Sequence, residues 1–178
     1  MAIDWKAIAK QVGDSKGDCY STPTGRRALE IIVGEENVRD AVDYRISQQP
    51  GCFTAESVLS IMRPKLAMDR CYEIYKAEAD SENAVRAVFL LTSFADDAAL
   101  PWVREFLDDR NQGIRWNGLM VLRTILDGPL GDAAIASAMQ LLDKAEQDSD
   151  PEMRERTKQI RSEFKSKHPY IQPPETSQ

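Results

Sequence analysis

The stretch Ala99-Leu100-Pro101-Trp102-Val103-Arg104-Glu105-Phe106-Leu107-Asp108-Asp109-Arg110-Asn111-Gln112-Gly113-Ile114-Arg115-Trp116-Asn117-Gly118-Leu119-Met120-Val121-Leu122-Arg123-Thr124-Ile125-Leu126 carries two helical patterns in succession. In the first, Trp102 and Phe106 stand one turn apart and share a face, which predicts core. In the second, a rotation of about 100° per residue puts Ile114, Gly118, Val121 and Ile125 on one face, which should be buried. Trp116, Met120 and Arg123 fall on the opposite face. The polar link between the patterns is short, so the two helices should lie antiparallel and adjacent.

The same periodicity extends in both directions. Downstream, Gly128-Pro129 stops the second helix, Asp132 opens another to Ala145, and Asp150-Pro151 opens a last one ending near Lys165. Upstream, helices are predicted over residues 4–12, 22–32, 35–47, 54–62, 65–76 and 82–94, with Gly and Pro falling mainly at their boundaries. No segment alternates as a strand does. The reading is all-α, about ten helices in one domain over residues 1–166. Residues 14–21 read as a polar loop and 167–178, with three prolines, as an extended or disordered tail.

A motif recurs within this pattern: Asp, four residues, an apolar residue, then Arg. It occurs as Asp80 with Val85-Arg86, Asp109 with Ile114-Arg115 and Asp148 with Met153-Arg154. A weaker copy without the Arg aligns near Glu56-Ser57-Val58. Repetition of this kind marks helical repeat architectures. An Asp at that place can accept N–H bonds where the second helix of a pair begins, and the Arg can reach an Asp of an adjacent pair and set the stacking register.

With Pro101 in the first helix of a pair and Asp109, Ile114 and Arg115 opening the second, the sequence resembles the HEAT (armadillo-type) repeat family. The resemblance is good over residues 80–126, fair to 165 and weak before 50. It implies a right-handed α-solenoid of about four to five antiparallel helix pairs whose second helices line a concave face. On that face the candidate partner-binding residues are Trp116, Met120 and Arg123, a hot-spot composition; the helix carrying Leu91 and Phe94 is apolar nearly all round, which predicts burial, and where exposed these two would extend the patch. Asp80, Arg86, Asp109, Arg115, Asp148 and Arg154 are the inter-repeat structural residues.

Composition limits the functions. The chain has 178 residues, a formal net charge of −6 and a pI of about 4.9, which speaks against binding nucleic acid through broad phosphate neutralisation; it fits a basic protein partner better, though mild acidity also serves solubility alone. Cys19, Cys52 and Cys71 are odd in number and widely spaced, as suits reduced thiols in the cytoplasm. The single histidine, His168, sits in the tail, so no zinc set is legible. No secretory signal and no membrane-length apolar run appear. No nucleophile motif, phosphate loop or cofactor motif is found, and the acid pairs Asp96-Asp97 and Asp108-Asp109 read as helix caps. The expectation is a non-catalytic, cytoplasmic, protein-binding scaffold without metal or cofactor, with an inhibitor or immunity protein against a basic toxin as one form of it. The resemblance also admits two enzymatic alternatives, a DNA glycosylase-like repair protein and a lyase or chaperone for pigments or other small molecules.

Overall fold

The computed structural model describes residues 4–13, 22–79 and 81–168, and for Thr22 and Pro23 the backbone alone. The predicted loop at 14–21 with Cys19, the motif residue Asp80 and the tail after His168 lie outside the described residues. Among the described residues the protein is all-α, with ten helices and no strand. None of these helices is long and apolar enough to cross a membrane. The chain divides into two compact units, Met1–Ala95 and Asp96–Gln178.

The first unit holds α1 (Trp5–Gln11), α2 (Thr22–Val33), α3 (Glu35–Ile46), α4 (Cys52–Met62), α5 (Lys65–Ala77) and α6 (Glu82–Leu91). Val38, Val42 and Ile46 recur at fourfold spacing along α3 and are all buried. Helix α3 packs against α4, α5 and, less extensively, α6, while α5 lies along α6. Leu59, Met68, Cys71, Ile74, Val88 and Leu91 are among the other buried residues, and full burial of a large apolar side chain contributes about 1.5–3 kcal/mol.

Two backbone positions frame α4. Gly51 enters it at φ +89°, a left-handed conformation that favours glycine. Arg63 leaves it at φ +46°, just before Pro64, which is disfavoured in continuing a helix. The Arg63 guanidinium then donates to the Ala95 carbonyl at 2.7 Å. Helix α4 begins at Cys52, two residues earlier than its pattern predicts. Helix α6 ends at Leu91 instead of Phe94, because the Leu91 carbonyl takes both the Phe94 and Ala95 N–H groups in a closing turn.

The second unit holds a 3-10 turn at Asp97–Ala99, then α7 (Leu100–Leu107), α8 (Gln112–Leu126), α9 (Asp132–Ala145) and α10 (Pro151–Lys167). Helix α7 packs on α8 and α9, and α10 packs on both α8 and α9. The predicted face Ile114, Gly118, Val121 and Ile125 is buried, together with Phe106, Leu142, Met153 and Ile160. Trp102 is half-buried. Where α8 crosses α7 the approach is close: a Cβ added to Gly118 would stand 2.6 Å from the Phe106 Cβ.

Candidate functional site

Two copies of the Asp…Arg motif have the same local geometry. Asp109 Oδ1 accepts the Asn111 N–H at 2.8 Å, and Asp148 Oδ1 accepts the Asp150 N–H at 2.8 Å. In each copy the residue two places on is the helix N-cap. Asn111 accepts from Gly113 and Ile114, and Asp150 from Glu152. Asp109 and Asp148 therefore shape the turn before the helix, and their expected role as the cap passes to Asn111 and Asp150.

The arginines also agree. Nη1 of Arg115 donates to the carbonyls of Asp109 and Arg110, both at 3.1 Å. Nη1 of Arg154 donates to those of Asp148 and Ser149, at 2.8 and 2.9 Å. The rest of the Arg115 fork spans to Asp148, with Nε 2.8 Å from Oδ2. This is the bridge between successive motifs that the sequence predicts. Burial acts to raise the Asp148 pKa, but the Asp150 N–H and the Arg115 guanidinium outweigh it and hold the carboxyl below its ordinary value.

The first copy departs from this pattern. There Ser81 is the N-cap, accepting the Ala84 N–H at 3.0 Å, and Arg86 meets Glu82 and the Ile46 carbonyl. The weak copy at Glu56-Ser57-Val58 lies in the middle of α4 and opens no helix.

The predicted binding face divides. Trp116 and Met120 are half-buried on α8. Arg123 pairs through Nη2 with Glu163 at 3.3 Å, while its Nε is buried without a hydrogen-bond partner among the described residues. Leu91 and Phe94 are fully buried and present nothing to a partner. The expectation that they extend the patch is corrected: Leu91 lies on the packed side of α6, and Phe94 is turned into the core by the closing turn after it.

The exposed large apolar side chains lie elsewhere. All eight among the described residues belong to the first unit, and the two most exposed are on α4: Ile61 at 83% and Phe53 at 70%, with Val58 at 45%. At 100° per residue, Phe53, Ser57, Ile61, Thr54 and Val58 share an arc of about 140°. All five are exposed, whereas Cys52, Leu59 and Met62 on the other side are buried.

This face rests on a fixed base. The Arg45 side chain is only 8% exposed, and its guanidinium lies 4.8 Å from the centroid of the Phe53 ring. Its Nε donates to Glu56 Oε2, and Glu56 Oε1 accepts the Ser93 hydroxyl at 2.8 Å. Phe53 is thus held from below by a cation over its ring while the ring remains open to solvent. Glu56 is the single charged residue in positions 47–62, although charged residues make up 29% of the chain. Its charge is turned inward onto Arg45.

Periodicity along α4 does not single out this face, because Thr54 and Ser57 lie among its apolar residues. The shortage of charge in residues 47–62 was the available signal. Among the described residues no group of three or more His, Cys, Asp or Glu side chains is placed to hold a metal ion. A scan against protein-family models finds no match to this chain, and searches of curated proteins and of solved structures find none either.

Proposed function

We propose that the chain is a non-catalytic protein-binding module whose docking surface is the outer face of α4. One observation carries the reading: Phe53 is 70% exposed and yet seated on a guanidinium that Glu56 and Ser93 hold in place. An aromatic anchor fixed in advance loses little conformational freedom on binding, which is what a hot spot requires. Large apolar side chains exposed together on one helix face are otherwise unfavourable, and in soluble proteins they mark contact surfaces. The surface carries no exposed charge, so a basic partner would find its electrostatic attraction outside α4.

The HEAT-like architecture belongs to the same proposal. It is supported within α7–α10 by the matching turns at Asp109 and Asp148 and by the Arg115–Asp148 bridge.

Affinity capture with the full chain tests the function. Proteins retained by the wild type should be lost with Ile61→Asp and with Phe53→Ala, and kept with Trp116→Ala. Retention that ignores both α4 variants but vanishes with Trp116→Ala would move the site back to α8.

A further inference from the structure

Resting on the assignment of α4 as the docking surface, we infer that its occupant is a second copy of this chain, packed antiparallel about a two-fold axis through Ser57. Two features of the face suit this occupant.

The first is charge. A chain of formal net charge −6 meets a copy of itself against like-charge repulsion wherever acidic surfaces face each other. Helix α4 adds little to that repulsion, since Glu56 is its only charged residue and is paired with Arg45. A basic partner would gain nothing there, whereas an identical uncharged face loses nothing.

The second is shape. The exposed stripe reads Phe53, Ser57, Ile61, large–small–large at one-turn intervals. In an antiparallel pair centred on Ser57, each Phe53 lies against the Ile61 of the other copy, and the two small Ser57 side chains meet at the axis. A stripe symmetric about its middle is self-complementary, as an isologous contact demands. The small central residue lets the helices approach. At an interaxial distance of roughly 8–10 Å, with Cα atoms about 2.3 Å from each axis, the facing Ser57 Cα atoms would stand roughly 3.5–5.5 Å apart. That range overlaps the roughly 4.4–6.8 Å that a disulfide spans.

Sedimentation velocity of the full chain across the micromolar to hundred-micromolar range tests the assignment. The mass should rise with concentration from 20.0 kDa towards twice that value, and Ile61→Asp should hold it at the monomer. Ile61 is 83% exposed, so this variant retains its fold, which its helical circular dichroism verifies. In a Cys19→Ser background, Ser57→Cys should crosslink into a covalent dimer under a mild thiol oxidant, and Gln140→Cys, exposed on α9, should not. A monomer at every concentration, or a dimer indifferent to Ile61→Asp, overturns the second copy as occupant. If the monomer still loses captured proteins with Ile61→Asp, the docking surface stands and only its occupant is wrong. If capture is also unchanged, both inferences fall together.

Discussion

Replacing Gly118 by alanine sets two effects of opposite sign against each other. In a solvent-facing helix the change adds about 1 kcal/mol of stability, because alanine surrenders less backbone freedom than glycine. At Gly118 the new Cβ would stand 2.6 Å from the Phe106 Cβ, with the Phe106 carbonyl carbon at 3.5 Å. The Phe106 Cβ is fixed to its backbone and cannot swing aside, so α7 and α8 must separate by about 1 Å to restore carbon–carbon contact near 3.5–4.0 Å. Overpacking of this kind costs typically about 1–3 kcal/mol, and the shift would loosen Ile114, Leu122 and Ile125, all fully or almost fully buried. The expected net result is a loss of about 1 kcal/mol, or a fall of roughly 2–4 °C in the melting midpoint of a chain this size. Gly25 on α2 is the internal control, since a Cβ there meets nothing within 4 Å. Gly25→Ala should therefore raise the midpoint by a similar interval. Thermal unfolding followed by circular dichroism reads both variants on one instrument. If Gly118→Ala stabilises the protein as Gly25→Ala does, the close crossing of α7 and α8 is refuted.

Three further outcomes are expected. Arg115→Ala should lose about 1–3 kcal/mol by stranding the Asp148 carboxylate, whose side chain is 8% exposed, and a double-mutant cycle with Asp148→Asn should show coupling; additive losses would dissolve the bridge. Because the Asp148 pKa is held below its ordinary 3.8, the stability it contributes is complete above that pH and is lost as pH falls through the folded value. The acid-unfolding curve of Asp148→Asn should therefore be flatter than that of the wild type, and an identical curve would contradict the shift. Burial pushes the Cys71 thiol far above its ordinary 9.0, so iodoacetamide should spare it in the native protein at mildly alkaline pH and modify it in urea; native labelling of Cys71, read by peptide mass spectrometry, would contradict its burial.

Much of the second unit was legible in the sequence. Ile114, Gly118, Val121 and Ile125 follow from rotation per residue alone, and their burial required no knowledge of neighbours. The motif also led to the expectation that an Arg reaches an Asp of a neighbouring pair; Arg115 does so with Asp148, whereas Arg86 pairs with Glu82 of its own helix. The identity of the cap was not legible: Asp109 and Asn111 can both accept N–H bonds, and only the backbone conformation decides which of them accepts from the first turn of the helix. Leu91 and Phe94 were ambiguous for a related reason, since α6 is apolar on most sides and periodicity cannot rank its faces.

From the sequence alone it follows that this protein is all-α, where most of its helices begin and end, and that Ile114, Gly118, Val121 and Ile125 form a core face of α8. These are local properties, set by side-chain period, caps and helix-breaking residues. Only the tertiary structure decided that α4 turns Phe53 and Ile61 to water, that Arg45 and Glu56 meet beneath them, and that Gly118 is a point of contact instead of a weak place in a helix. Each of these depends on which helix lies against which across many residues of chain, and a pattern read along one helix does not say which of its apolar faces has been left without a neighbour.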